Sequence, residues 1–364
     1  MFEKVKGNFG FGCMRLPMKD GEVDKTEFSR MIDTFIEAGF NYFDTAHGYI
    51  DGKSETAIRD CLTSRYERDS YVLADKLSEW FFQTEDEILP LFEKQLERCG
   101  VEYFDFYLLH NLYRKSYVKY KESHSFEILN QLKKEGKIKH IAISFHDKAD
   151  VLDLILTEQP QIEAVQLQIN YLDYDDPSVQ SKRCYDVALK HGKKVIVMEP
   201  VKGGALVDLP PEALSEFEKL GGAPPVSYAL RYAASFPEVF MVLSGMGNME
   251  MMESNIKTMK PFVPLNEKEL EATDKARDII RSYKQIPCTK CKYCADVCPK
   301  SIPISDLFSA YNEYALARIT KKEASLKLAS FDIKASDCIE CGNCESVCPQ
   351  SIKIREQLQS LAKM

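Results

Sequence analysis

Eight of the twelve cysteines fall in two copies of one spacing. They are Cys288-x2-Cys291-x2-Cys294-x3-Cys298-Pro299 and Cys338-x2-Cys341-x2-Cys344-x3-Cys348-Pro349. A tight C-x2-C-x2-C turn points three thiolates inward and leaves backbone amides free to face inorganic sulfide. With a fourth thiolate from elsewhere, that is the donor set of a 4Fe–4S cubane. The proline after each fourth cysteine keeps the chain from running on as helix. Two other uses of cysteine fit less well. A disulfide framework needs an oxidising compartment, and no signal peptide is evident. Zinc sites usually pair two C-x2-C units rather than this run. The chemistry expected from these eight residues is one-electron transfer through two 4Fe–4S clusters.

The runs resemble those of the bacterial two-cluster ferredoxins, in which the last cysteine of each run ligates the other cluster. The resemblance implies Cys288, Cys291, Cys294 and Cys348 for one cluster, and Cys338, Cys341, Cys344 and Cys298 for the other. Between the runs, Asp306 to Leu328 carries Leu307, Ala310, Tyr311, Tyr314, Leu316, Ile319 and Leu326 at helical spacing, which predicts one or two helices. This resembles the helical ferredoxin modules fused to larger oxidoreductases. Residues 286–364 are therefore expected to form a small, mainly helical ferredoxin-like domain that exchanges electrons with a ferredoxin-like partner.

The first 285 residues alternate strand-like and helix-like segments. Short apolar runs predict strands at Phe9–Met14, Asn41–Asp44, Tyr71–Asp75, Phe104–His110, His140–Phe145, Ala164–Asn170, Val195–Glu199 and Phe240–Ser244. Helical periodicity marks Lys25–Ala38, Glu85–Cys99, Phe126–Glu135 and Pro177–His191. Gly39, Gly100, Gly136 and Gly192 follow these four, where a left-handed residue ends a helix well. Eight such units predict a (β/α)8 TIM barrel over residues 1–285. An open doubly wound sheet would want a G-x-G-x-x-G turn after its first strand, and none is present. The helix Glu267–Lys284 then leads through Ile286-Pro287 into the first cysteine run.

A barrel of this kind carries its chemistry at the C-terminal ends of its strands. Asp44 and Tyr49 follow the second predicted strand, Lys76 the third, and His110 the fourth. In these four residues the chain resembles the aldo-keto reductases over about residues 5–260. The resemblance implies reduction of a carbonyl, or oxidation of an alcohol, with NAD(H) or NADP(H). Tyr49 would be the proton donor, Lys76 would lower its pKa, Asp44 would hold Lys76, and His110 would orient the substrate oxygen. The structural alternative is a plain buried Asp44–Lys76 ion pair with Tyr49 packed over it. By the same resemblance Ser144 and Gln166 hold the nicotinamide carboxamide, and Met198 takes the place of a stacking aromatic. Lys202, Gly203, Ser244, Gly245 and Asn255 lie where the cofactor phosphates are bound, while Gln168 and Asn170 are structural. Residues 244–255 contain no basic residue, and Glu250 or Glu253 would repel a 2′-phosphate, so NADH is at least as well suited as NADPH.

Nicotinamide delivers two electrons as hydride, whereas clusters pass one at a time. A flavin (FMN or FAD), with its phosphate held by Lys202-Gly203-Gly204 and Ser244-Gly245, would bridge the two. The alternatives are thus a flavin-dependent reductase fed by the clusters, or a non-enzymatic electron-transfer subunit. His47 and His146 stand near the site residues, and Trp80, Phe81 and Phe82 are expected to wall the pocket. Tyr113–His124 reads as a polar, aromatic substrate loop. The net charge of −8 argues against a nucleic-acid partner. No apolar run is long enough for a membrane span, so a cytoplasmic location is expected. Cys13, Cys61, Cys99 and Cys184 are expected to be packed thiols.

Overall fold

A computed structural model describes residues 2–364. Eight strands form a closed parallel barrel: β1 (Phe9–Gly12), β2 (Tyr42–Asp44), β3 (Val72–Ser78), β4 (Phe104–Leu112), β5 (Ile138–Phe145), β6 (Ala164–Gln168), β7 (Lys194–Met198) and β8 (Val239–Gly245). Each strand pairs with its sequence neighbour, and β1 closes the ring on β8, with Gly12 opposite Gly245. These strands are apolar on both faces because one face meets the helices and the other fills the barrel. The inner layer contains Tyr42, Val72, Ala74, Phe106, Leu108, Ala142, Ala164, Ile196, Met241 and Leu243. Phe2 closes the N-terminal end, edge-on to Phe106 with ring centroids 4.9 Å apart. Side chains at the opposite ends of the strands remain for chemistry.

The strands match the sequence expectation to within a few residues, and Gly39, Gly100, Gly136 and Gly192 all have positive φ. Two elements differ. A short hairpin, Met18–Lys19 with Glu22–Val23, turns through Asp20 and Gly21, both left-handed. The segment expected as a substrate loop, Tyr113–His124, instead contains the helix Arg114–Glu122. Its Tyr117 and Tyr120 are buried, and the Tyr120 hydroxyl donates to the carbonyls of Leu77 (2.8 Å) and His110 (2.9 Å). Burying those two rings, three apart on one face, is what makes this polar segment helical.

The chain divides into two compact units, residues 1–200 with 226–265, and residues 201–225 with 266–364. The second unit thus includes the segment after β7 as well as the cysteine runs. Within it, the helices Pro211–Glu218 and Glu267–Ser282 pack together, and the Tyr283 hydroxyl donates to Glu212 (2.8 Å).

Each cysteine run forms a turn, a one-turn helix and a longer helix, repeated fifty residues on. Tyr293–Asp296 and Ile304–Ala315 recur as Asn343–Ser346 and Ile354–Leu361. The left-handed residues recur too: Lys290 and Glu340, Lys292 and Gly342, Ser301 and Ser351. The stretch between the repeats folds as Lys321–Ala329, capped by Thr320. Ile302, Ile304, Phe308, Ile352, Ile354 and Leu358 pack into one core between the repeats.

Candidate active site and cluster cavities

The tetrad side chains come from the C-terminal ends of β2, β3 and β4 and from the segment after β2. Strand register places Asp44 beside Ala74, and Ser78 beside His110. Lys76 is fully buried, which an ammonium tolerates only when paired. Its Nζ donates to Asp44 Oδ1 (2.6 Å) and to the Thr45 carbonyl (2.6 Å), and lies 4.9 Å from the Tyr49 ring centroid. Burial raises the Asp44 carboxyl pKa above its ordinary value, and the Lys76 ammonium works against that rise. The second oxygen, Asp44 Oδ2, is buried without a hydrogen-bond partner.

His110 meets Tyr49 edge-on, with centroids 6.0 Å apart, and lies 5.3 Å from Trp80. Its Nδ1 is 2.7 Å from Ser78 Oγ. Burial first, then the charge of Lys76, holds the His110 pKa well below its usual range, so the imidazole is neutral at pH 7. If Ser78 donates to Nδ1, the ring's proton is on Nε2, where it can be given to an oxygen in the site. His146 is also near this imidazole, and burial pushes its own pKa down to about 4.

The Tyr49 segment is braced from below. The buried Glu55 carboxylate accepts from Arg98 and lies 3.0 Å from His47 Nδ1, and Arg98 also donates to the Gly52 carbonyl. Ser54 Oγ is 2.8 Å from Thr45 Oγ1 and donates to the Cys13 carbonyl (2.9 Å). His47 is thereby committed to the brace, with Phe81 edge-on to it at 4.9 Å. The glycine between His47 and Tyr49 leaves space that Phe81 occupies, since a Cβ on Gly48 would come within 3.0 Å of that ring.

Ser144 and Gln166 are register partners on β5 and β6. The Ser144 hydroxyl accepts from the Asn111 amide (2.7 Å), so its own proton remains to be donated. Asn255 Nδ2 donates to Ser244 Oγ (3.2 Å), which joins two of the expected cofactor residues. Gln168 and Asn170 both donate to Asp173 Oδ2, at 2.6 and 2.9 Å, and are structural here. Met198 ends β7 opposite Gln168.

Two residues near these positions carry no motif and escaped the sequence reading. The Arg15 stem packs across Gly245, where a Cβ would stand 3.3 Å from Arg15 Cβ. Glu27 Oε1 accepts from the Met249 amide (3.1 Å), the first residue of the helix Met249–Met259. A carboxylate there uses the helix N-terminus that would otherwise favour an anion.

Lys202 and Gly203 belong to the second unit. They lie in a left-handed turn, and a Cβ on Gly203 would come within 2.8 Å of Thr289 Cα. The structure brings Gly203 to the first cysteine run.

The cysteines surround two cavities. One is lined by Cys288, Cys291, Cys294 and Cys348 with Ile304, Phe308, Ile352 and Ile354. The other is lined by Cys298, Cys338, Cys341 and Cys344 with Ile302, Ile304, Ile339 and Leu358. None of the eight is in a disulfide. Burial, then Cys291, Cys288 and Cys348, push the Cys294 thiol far up, and burial raises Cys344 to about 11. Thiols crowded in this way release their protons only to a cation, so the donor set suits an iron cluster. Among the described residues no group of three or more His, Cys, Asp or Glu side chains is arranged to hold a lone metal ion.

Residues 8–278 match the model of the aldo/keto reductase family. The chain belongs to that family. This aldo/keto reductase is an oxidoreductase whose residues 287–352 match the 4Fe-4S dicluster domain. It is 24% identical over 308 residues to the uncharacterized oxidoreductase YqkF of Bacillus subtilis (strain 168), covering 76% of this chain and 94% of that one. It is 26% identical to the solved aldo-keto reductase AKR11C1 from Bacillus halodurans in its holo form, with a TM-score of 0.60 over 74% of this chain and 91% of that one. An aldo-keto reductase from Klebsiella pneumoniae in complex with NADPH shares the fold, at 19% identity and a TM-score of 0.60 over 73% of this chain and 89% of that one. Among the described residues no helix of this reductase is long and apolar enough to cross a membrane.

Proposed function

We propose that the barrel interconverts a carbonyl and an alcohol with a nicotinamide cofactor, and that the second unit carries two 4Fe–4S clusters that exchange electrons with a ferredoxin-like partner. The observation that carries the first half is the placement of Lys76 Nζ, 2.6 Å from Asp44 Oδ1 and 4.9 Å from the Tyr49 ring centroid, with His110 edge-on to that ring at 6.0 Å. A nicotinamide bound at these strand ends would supply hydride to the carbonyl carbon. The Tyr49 hydroxyl then gives its proton to the oxygen that becomes the alcohol. Tyrosine has a reference pKa of about 10, and the Lys76 ammonium stabilises the tyrosinate left behind. Asp44 holds Lys76 in place. Neutral His110 donates from Nε2 to the same oxygen and orients it.

Ser144 and Gln166 suit a carboxamide, being buried register partners at the strand ends. Arg15, over Gly245, offers positive charge to a diphosphate. Glu27 at the start of Met249–Met259 favours a ribose hydroxyl over a 2′-phosphate, and with the absence of basic residues in 244–255 this supports NADH.

For the clusters, the support is the grouping of Cys288, Cys291, Cys294 with Cys348, and of Cys338, Cys341, Cys344 with Cys298, round separate cavities. When bound, the clusters supply one-electron transfer. The substrate is a small molecule reaching the rim near Trp80 and His110.

Anaerobic purification, followed by denaturation and chromatography of the released cofactors, tests the reading. Iron and sulfide without flavin, together with NADH or NADPH binding to the native protein, are expected. A stoichiometric FMN or FAD would replace hydride transfer from nicotinamide by flavin chemistry fed from the clusters.

A further inference from the structure

The two cysteine runs are equivalent in backbone but not in surroundings. In the first, the residue after the leading cysteine is Thr289, only 2% exposed. Fifty residues on, the matching residue is Ile339, which is 56% exposed. A polar side chain is buried and its apolar counterpart faces water, the reverse of the ordinary preference. The second cysteine follows the same trend: Cys291 is partly covered, and Cys341 is the one exposed cysteine of the eight.

The cover over the first run comes from within the same unit. The left-handed turn Lys202–Gly204 brings Gly203 against the Thr289 backbone so closely that no side chain fits, and Lys202 is itself buried. The second run has left-handed Glu340 and Gly342 at the same positions as Lys290 and Lys292, so its turn is folded the same way. What differs is that the Ile339–Cys341 turn is left open.

We propose that the cluster held by Cys338, Cys341, Cys344 and Cys298 is the port at which an external one-electron carrier protein docks, with Ile339 as its apolar contact. The cluster held by Cys288, Cys291, Cys294 and Cys348 is the covered, inner one. This rests on the two-cluster reading above. The step is simple to balance: the carrier loses one electron, the port cluster gains it, and no bond or proton moves. Electron transfer between proteins weakens steeply with distance, so a carrier must approach an exposed sulfur. Cys341 offers one, and an exposed isoleucine beside it provides an apolar contact on which a partner can settle.

The test uses the full-length, cluster-loaded protein and a dithionite-reduced bacterial 4Fe–4S ferredoxin as the probe. Cluster reduction is followed by stopped-flow absorbance at high ionic strength, so that charge steering is screened. Ile339→Asn is expected to lower the second-order rate about five-fold, the loss of one apolar contact. Lys290→Asn, a change on the exposed part of the first run, is expected to leave the rate within about two-fold. Slowing by Lys290→Asn but not by Ile339→Asn would move the port to the first cluster, and no effect of either would overturn the proposal. If Ile339→Asn loses iron, the native protein decides by another route. A soluble paramagnetic relaxant should then quicken the EPR relaxation of one cluster only, the one that Cys341→Ser removes. Equal relaxation of both signals would overturn the port. Iron well below about eight atoms per native chain would instead contradict the two-cluster reading itself.

Discussion

Replacing Lys76 by methionine tests both the energetics and the chemistry of the site. Lys76 is fully buried and gives two 2.6 Å hydrogen bonds, one to Asp44 Oδ1 and one to the Thr45 carbonyl. Its removal leaves a buried carboxylate whose other oxygen, Oδ2, already has no hydrogen-bond partner. Removing one member of a buried pair costs about 3–5 kcal/mol. The cost depends on pH, with a definite sign. Burial raises the Asp44 pKa and Lys76 lowers it, so in the variant burial acts unopposed and the pKa climbs further. A folded carboxyl above its unfolded value of about 3.9 binds a proton that the unfolded chain has released. Its contribution to stability is full below the unfolded value and is lost as pH rises through the folded one, by about 1.4 kcal/mol per pH unit. The deficit of Lys76→Met relative to the native protein is therefore larger at about pH 8 than at about pH 4, near the unfolded value. Anaerobic urea unfolding, followed by the fluorescence of Trp80, the only tryptophan, measures it at both pH values. The double variant Lys76→Met/Asp44→Asn should recover most of the loss, because no buried charge remains. A deficit under about 1 kcal/mol, or one equal at the two pH values, would refute this electrostatic account.

Other outcomes follow from single contacts. Glu27→Lys puts a cation where a carboxylate accepts from the Met249 amide, and should raise relative affinity for NADPH over NADH about ten-fold in coenzyme titrations. Cys348→Ser and Cys291→Ser should each remove about half the iron and leave the same surviving EPR signal, because both residues line one cavity. Cys298→Ser should leave the other signal instead. His146 has its pKa lowered to about 4, so its contribution to stability is complete above about pH 6.5 and is lost as pH falls toward that lower value. His146→Gln should flatten that part of the acid-unfolding curve.

Much of the barrel was legible because each strand is buried on both faces and reads as an uninterrupted apolar run, while left-handed glycines mark the helix ends. Asp44, Lys76 and His110 could be picked out as candidates because a polar residue near a strand end breaks such a run. The helix Arg114–Glu122 was not, since its polar face dominates the composition and only Tyr117 and Tyr120 turn inward. The hairpin at Asp20-Gly21 is two residues per strand, too short for an alternation to register, although the Asp-Gly pair was a usable turn signal. The braces on the site were hidden for a different reason. Glu55 with Arg98, Ser78 with His110, and Glu27 with Met249 are pairs distant in sequence, brought together only by the folded barrel. Gly203, in the second unit, also meets a residue distant in sequence: its glycines suggested a phosphate cradle, but its neighbour in the fold is Thr289.

The most direct test of the central claim is transfer of deuterium from C4-deuterated NADH or NADPH to an aldehyde or ketone substrate, measured with the native protein and with Tyr49→Phe. The account predicts label on the former carbonyl carbon. It also predicts a rate lowered about 10²–10⁴-fold in the variant, with cluster content and folding unchanged. Label lost to solvent, or equal turnover by Tyr49→Phe, would contradict hydride transfer completed by the Tyr49 proton.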